Sequence, residues 1–469
     1  MRVKGVLTLC ARVLAWAVGS LFALALLWLA ANRVLDERPD PRRDVFLRPG
    51  SGVPDAENLA VGIAGLDAPS GADFMAFGAE VKKLYEACAA WPDIQRKVHG
   101  PGELKLSVEG AQIQCWVDPD WDGWSGFKEC LSFDQAPKVL GDNRELLGRY
   151  KALYRLDRNA GFGFLERDLI TFTRLAVAEM RLDMKKGRYE AAYAKWRDHF
   201  RFTRNHLHGT SGWVSRAVGM VDLGLGFAVI EDLLVMSPSL ARVHSGELLE
   251  VFRPEGVDLI DLEGTARAEY LQLERFFETP YTEVEEFRNT FEWLAWKLGQ
   301  RNRTLNRYLT YSIDYADVLR RPWTELPGTL SSLHDQRLSP GWKDLIDPFG
   351  YALLLSMTYW QRKPPEMLRQ AYILDGRLRL ATLVVRIARD RIKDEDIPAF
   401  LENAAPELVD PFSNRPMRWD AKNGRLYFVS SDDACDITPF RVPVWDAGSG
   451  RQSPKHADWR ICQSPSRKN

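Results

Sequence analysis

The chain has 469 residues, with 63 Lys and Arg against 64 Asp and Glu, 45% hydrophobic and 27% charged residues. That balance excludes extended disorder, collagen and a coiled-coil rod, and the near-neutral charge excludes a nucleic-acid binder that works by bulk charge. The length allows about two to four domains, and sixteen Trp, a residue that anchors cores or binding faces, is a high count.

Residues 13–31 form a run of 19 residues without a charge. At about 1.5 Å per residue it spans nearly 30 Å, the thickness of a hydrocarbon core. Trp16 and Trp28 lie near its ends, where amphipathic rings favour the membrane interface. A cleaved signal peptide is the competing reading, but its apolar core is shorter and its best cleavage point, after Ala31, has Leu29 at the −3 position. The run therefore predicts a transmembrane helix. Arg2, Lys4 and Arg12 precede it; Arg33, Arg38, Arg42 and Arg43 follow it, interleaved with Asp36, Glu37, Asp40 and Asp44. The basic counts nearly tie, and the short N-terminal tail favours residues 1–12 as a cytoplasmic tail. The address that follows is the inner (plasma) membrane, single-pass, with the bulk of the chain periplasmic and the lipid bilayer as a partner through residues 13–31.

Cysteine usage leans the same way. Cys10 falls at the membrane, and Cys88, Cys115, Cys130, Cys435 and Cys462 follow. Disulfides suit an exported domain, and among three pairings of four residues the near-neighbour set is Cys115–Cys130 and Cys435–Cys462, with Cys88 a buried thiol. All five as buried small apolar residues is the alternative.

Residues 32–58 are rich in Pro, Arg, Asp and Gly and read as a linker. Residues 59–400 read as a helical domain with a disulfide-closed loop near 115–130. Within it Val81, Leu84, Tyr85 and Cys88 share a helical face, whereas 103–117 alternates like a strand through Leu104, Leu106, Val108, Ile113, Cys115 and Val117. A long helical region runs from about 143 to 320. Its clearest pair is 165–184 with 188–208, the second member placing Tyr189, Ala192, Trp196, Phe200, Thr203 and Leu207 on one stripe. Gly187, Tyr189 and Ala192 give the small-and-aromatic punctuation of a tetratricopeptide-like helix pair, without a 34-residue repeat around it.

Residues 213–236 are very apolar, but Arg216, Asp222, Glu231 and Asp232 argue against a second membrane span and for a fully buried central helix, which Gly219, Gly224 and Gly226 would let a neighbour approach. Residues 256–287 carry nine acids against two bases, and 297–321 six bases against two acids. These read as two solvated helix faces, with an acidic docking surface as the sharper alternative. An amphipathic helix covers 378–392. Residues 401–469 read as a small β-containing region: strands at 417–420 and 425–430 around Asn423 and Gly424, and a third at 440–445. The fold class predicted is mainly α, with an N-terminal transmembrane helix, an exported helical domain and a small C-terminal β-hairpin region.

The sharpest chemical motif is Asp118, Pro119, Asp120, Trp121, Asp122 and Gly123, with Glu129 six residues after the glycine. It fits the calcium-loop spacing: carboxylates at positions 1, 3 and 5, Gly at 6, a carbonyl from Trp124 at 7 and a closing Glu at 12. Strand-like flanks, Pro119 and Ser125 at position 8 favour the other reading, an acidic, Trp-bearing turn closed by Cys115–Cys130. Trp116, Trp121 and Trp124 beside carboxylates could stack on sugar, though Trp packed on a disulfide is commoner. His199, His206 and His208 form the one histidine cluster and read as surface residues near a helix end. Nucleophile-elbow, Walker and zinc-protease motifs are missing from the sequence, and Gly161, Phe162 and Gly163, like Gly224, Leu225 and Gly226, lack the third glycine of a dinucleotide loop. No catalytic residue and no cofactor beyond a possible Ca²⁺ is singled out.

Gly65, Leu66, Asp67, Ala68 and Pro69, the Cys130 and Leu131 step, the stretch 146–153 with Arg149 and Tyr150, the pair around Gly187 and the closing Asp410, Pro411 and Phe412 together resemble an uncharacterised group of membrane-anchored, mostly helical envelope proteins of Gram-negative bacteria. The resemblance spans about 60–430 and implies architecture and address, not activity. The closing segment is also weakly similar to the end of a type II secretion pseudopilin, but some 350 residues separate it from the apolar N-terminal run. The function expected is a non-catalytic interaction or scaffold role in the cell envelope, with another envelope protein as partner and no nucleic acid. The alternative is an envelope hydrolase acting on wall glycan or peptide through acids that converge only in the fold.

Overall fold

The structure, a computed structural model, describes residues 36–47, 53–86, 104–116, 131–156, 169–208, 213–259, 262–278, 299–341, 347–358, 366–429 and 437–443, with single positions at 16, 20, 23, 27 and 344. In chain order the helices are α1 (Arg42–Phe46), α2 (Leu59–Ala64), α3 (Phe74–Glu86), α4 (Ala136–Asp142), α5 (Arg144–Ala152), α6 (Leu169–Lys185), α7 (Tyr189–Leu207) and α8 (Trp213–Met236). They continue with α9 (Ser239–Val243), α10 (Ser245–Val251), α11 (Leu262–Glu278), α12 (Arg301–Leu319), α13 (Leu326–Leu338), α14 (Pro348–Thr358), α15 (Glu366–Asp390) and α16 (Ile397–Glu402). Strands β1 (Arg418–Asp420), β2 (Arg425–Val429) and β3 (Ile437–Arg441) form one antiparallel sheet in that order. The chain is thus mainly helical with a small sheet near its end, as the patterning predicts. No helix among the described residues is long and apolar enough to cross a membrane. Most of 13–31 lies outside the described residues, and so does the Cys435–Cys462 pair.

The chain divides into two compact units. One comprises Met1–Pro49, Tyr270–Val318 and Gly328–Lys363; the other comprises Gly50–Glu269, Leu319–Pro327 and Pro364–Asn469.

In the first unit α12 organises its neighbours. The Asp36 carboxylate accepts from the backbone N–H of Asn302 and of Arg303, both at 3.0 Å, so a residue distant in sequence satisfies two of the orphan donors at the start of α12. The Asp40 N–H donates to Asn306 at 2.7 Å, and Arg42 donates to Thr310 at 2.7 Å. Positions 302, 306 and 310 repeat every four residues and make one stripe. Arg43 pairs with Glu274 at 2.6 Å, and Phe46 meets the Tyr270 ring edge-on at 6.0 Å. Residues 36–47, read from composition as part of a free linker, are therefore docked. The basic stretch around 301–307 is not simply a solvated face either, since Arg303 and Arg307 converge on Asp344 at 2.8 and 2.5 Å. Asp347 caps α14 by accepting from Gly350 N–H at 2.9 Å, with Pro348 at the first helical position.

In the second unit α6 and α7 form the predicted helix pair. Gly187, at φ +70°, ends α6: its N–H reaches the Met184 carbonyl, and the next N–H, of Arg188, reaches Asp183. This is the left-handed glycine stop that reverses the chain within a few residues. Ala192, Trp196, Phe200, Thr203 and Leu207 are buried, and α8 packs across both helices. Gly219 and Gly226 admit Leu207 and Phe200, to which an added Cβ would lie 2.8 and 2.9 Å away; Gly224 faces open space. The Trp196 indole donates to the Gly226 carbonyl at 2.8 Å. α8 is not fully buried as predicted: Val221 is 46% exposed on a narrow stripe.

The expected amphipathic helix at 378–392 is the second half of α15, which begins at Glu366. Its apolar face is wide and buried. Leu378, Leu380, Ala381, Leu383, Val384, Val385 and Ile387 are buried, and the polar stripe is narrow: Arg379 and Arg386 are partly buried and Arg389 and Asp390 are exposed at its end. α8, α9, α10, β2 and β3 pack around it. β2 pairs β1 with Asp420 opposite Arg425, and β3 with Leu426 opposite Phe440. The first hairpin is closed by a four-residue loop, 421–424, not a two-residue Asn-Gly turn. Asp420 receives both the backbone and side-chain N–H of Asn423, and Gly424 sits at φ +61°. β3 starts at Ile437, earlier than the 440–445 predicted.

The strand predicted over 103–117 is not formed. Residues 104–109 lack regular structure, and Gly110–Trp116 is a 3₁₀ helix. A three-residue period brings Gly110, Ile113 and Trp116 to one side, against α6, where Gly110 lies close to Thr171 and Arg174. Packing on a helix overrode a period-2 pattern that two short apolar runs had suggested.

Candidate functional site

The polar residues that the second unit brings together centre on α5. Its buried face carries Leu146, Leu147, Tyr150 and, at the next turn, Leu153, and Arg149 lies among them with only 7% exposure. The Arg149 guanidinium donates to three backbone carbonyls of one loop: Leu66 at 3.0 Å, Ala68, and Pro69 at 2.8 Å. It also pairs with Glu145 at 2.9 Å. Glu145 in turn accepts from Ser70 Oγ at 2.7 Å and Gly71 N–H at 3.2 Å, and the Ser70 contact leads the effects that hold its carboxyl below the ordinary range. A planar fork with five donors can satisfy such a row of carbonyls where an ammonium could not.

Tyr150, the next residue, reaches into the helical core. Its hydroxyl lies 2.8 Å from Thr173 Oγ1 on α6 and 3.3 Å from His199 Nε2 on α7. Its ring stacks on Phe172 at 5.4 Å and meets Phe202 and Tyr154 edge-on. Tyr150, Thr173, His199 and Asp222 of α8 are fully buried. Burial pushes the Tyr150 and Tyr154 phenols well above their usual range, and the Asp222 charge adds to it. Burial pulls the His199 imidazole down to about 3. At neutral pH the tyrosines and His199 are therefore uncharged, and their hydrogen bonds join α5, α6 and α7 within an aromatic core.

A second group sits at the rim of the same helices. Glu179 pairs with Lys151 and, at 2.8 Å, with Lys195; Lys195 also pairs with Asp183 at 2.7 Å, and Asp183 with Arg188. Burial pushes Glu179 and Asp183 up, but their cationic partners outweigh it and hold both below the ordinary range.

The histidine reading is corrected by this geometry. His199 and His206 are not surface residues; both point from α7 into the core. They are seven apart, two turns of helix, and the face they share is the buried one. His208 is the partly exposed member and lies 3.0 Å from Glu255. Trp116 is buried rather than offered to a sugar: its indole donates to the Leu131 carbonyl at 2.6 Å and its ring meets Phe133 edge-on at 6.0 Å. Gly224, Leu225 and Gly226 are inside α8 and form no loop.

The calcium-loop residues Asp118, Asp120, Asp122, Trp124 and Glu129, and Trp121 with them, lie outside the described residues. Among the described residues no group of three or more His, Cys, Asp or Glu could hold a metal ion. Cys115 is disulfide-bonded, and Cys130, like every other cysteine, lies outside the described residues. Cys115 Sγ is 3.6 Å from the Leu131 carbonyl oxygen, and Leu131 N–H donates to Gln112 at 2.8 Å.

Arg149, Tyr150 and Thr173 carry most of this arrangement; Arg149 and Tyr150 entered the sequence reading only through the resemblance, with no chemical role, and Thr173 not at all. The one local signal was an arginine on the apolar stripe of α5, where a charge is placed only if it is bonded. No family model, curated protein or solved structure matches the chain.

Proposed function

We propose that the chain is a non-catalytic interaction or scaffold protein of the cell envelope, anchored in the inner membrane by residues 13–31, with the bulk of the chain periplasmic and another envelope protein as its partner. One observation supports the reading above the others. The uncharged run ends at 31, and by Asp36 the chain is already bonded to the first turn of α12. A body fixed so close to its anchor suits a protein that holds partners in place. The α6–α7 hairpin fits the same role. It is tetratricopeptide-like in its punctuation, and α8 covers one of its faces as the next helix of a helical repeat would. The proposal includes the bridges Cys115–Cys130 and Cys435–Cys462, and a weak Ca²⁺ site at Asp118, Asp120, Asp122, the Trp124 carbonyl and Glu129.

Crosslinking in intact cells, followed by fractionation and mass spectrometry, tests the role. The chain is expected in the inner-membrane fraction, extracted by detergent alone, and joined to a discrete envelope protein. Recovery as a freely soluble cytosolic species with reduced thiols would overturn the address. Turnover of wall glycan or peptide by the purified chain would overturn the non-catalytic role.

A further inference from the structure

We propose that the face of the first unit built from residues 36–47 lies against the headgroup layer of the bilayer; this rests on residues 13–31 being the membrane anchor. From residue 31 to residue 36 there are five Cα–Cα steps, which reach at most about 18 Å even when fully extended. The headgroup region occupies about 6 Å of that on one side of the hydrocarbon core. Asp36 is not free to move beyond this radius with a body trailing behind it, because its carboxylate is bonded to the Asn302 and Arg303 N–H groups. The contacts of Asp40 with Asn306 and of Arg42 with Thr310 extend the attachment along α12. The leash and the body are one piece.

What this segment turns outward matches the partner. α1 has an inner side, where Arg43 holds Glu274 and Phe46 meets Tyr270. On its other side Val45, an apolar residue, is 65% exposed. Arg38 is exposed as well, whereas the Arg42 guanidinium is held by Asp40 and by Thr310 of α12. The Arg38 guanidinium suits lipid phosphates, and the exposed valine suits the shallow apolar level just beneath. Asp44, also exposed, pairs with Arg43 at 3.4 Å.

The test uses the full chain in vesicles of phosphatidylethanolamine and phosphatidylglycerol, carrying the photoreactive residue p-benzoylphenylalanine at position 45, at position 38, or at the exposed Ser331 of α13. All three side chains are exposed, so none of the three is needed for folding. On illumination, lipid adducts at 45 and 38 are expected to exceed those at 331 by at least about tenfold, equivalent to about 1.4 kcal/mol of preference for that face. If the chain floats with the vesicles and the three positions give equal adducts, the proposed face is wrong and the anchor stands. If the chain does not float with the vesicles, the anchor reading falls and the face falls with it.

Discussion

Arg149 shows how one side chain can decide a loop. Its fork fills the buried carbonyls of Leu66 and Ala68 and adds a second donor to that of Pro69, which also accepts from Ala72 N–H. Lysine keeps the charge but not the fork. Arg149→Lys is expected to lower stability by about 1–3 kcal/mol, the range for buried acceptors left without a donor. Chemical denaturation measures it, and a loss within error of zero would show that the loop does not depend on the fork. His199 gives a pH signature. Burial lowers its pKa from 6.5 to about 3, so between those values the unfolded chain binds a proton that the folded chain refuses. Its contribution is fully present above pH 6.5 and falls by about 1.4 kcal/mol per pH unit on acidification toward 3. His199→Leu removes this slope. Unfolding free energies measured at pH 7, 6, 5 and 4 should fall less steeply for the variant, and parallel curves would refute the burial argument.

At the scale of elements, α15 is where the fold is most constrained. Phe428 of β2 packs on it at Gly376, where an added Cβ would lie 2.5 Å from the ring. In isolation, alanine is the better helix former by about 1 kcal/mol. In place, Gly376→Ala is expected to destabilise by about 1–3 kcal/mol, because the sheet must move or Phe428 must leave its rotamer. Combining it with Phe428→Ala should recover part of that loss. A stabilised single variant would mean that the sheet sits loosely on the helix. The helix pair α6–α7 and the β1–β2 hairpin were legible because their signals are local: an apolar stripe at helical spacing, a glycine stop, and turn residues between β-rich runs. The 3₁₀ segment Gly110–Trp116 was not, because its three-residue period comes from contact with α6. The width of the buried face of α15 was not legible for a related reason: α8, α9, α10 and the sheet all pack on this helix, and one-dimensional periodicity cannot count neighbours.

For the whole molecule, the compartment is the open physical question, and sulfur chemistry addresses it. Cys115 is disulfide-bonded, and Leu131, the residue that follows Cys130 in the chain, is bonded to Gln112 and lies beside Cys115. We expect non-reducing peptide mapping of the chain purified under thiol-blocking conditions to recover Cys115 joined to Cys130. Reduction should lower stability by about 3 kcal/mol, as for a bridge closing a loop of some fifteen residues. A Cys115 peptide joined to Cys88, Cys435 or Cys462 would overturn the pairing. A free thiol at Cys115 in cells would place this part of the chain in a reducing compartment.

Composition and local pattern by themselves determined that this is a helical protein with a small C-terminal sheet, that an uncharged run of membrane length precedes it, and where the chain turns at Gly187 and around Gly424. Those features depend on neighbours within a few residues. Tertiary structure decided that His199 and His206 face inward, that Arg149 binds a loop some eighty residues earlier, that residues 36–47 are docked on α12, and that three helices and the sheet pack on α15. Each of these depends on which segments distant in sequence become neighbours, and burial, which sets both the cost of a charge and the need for a partner, exists only once they have met.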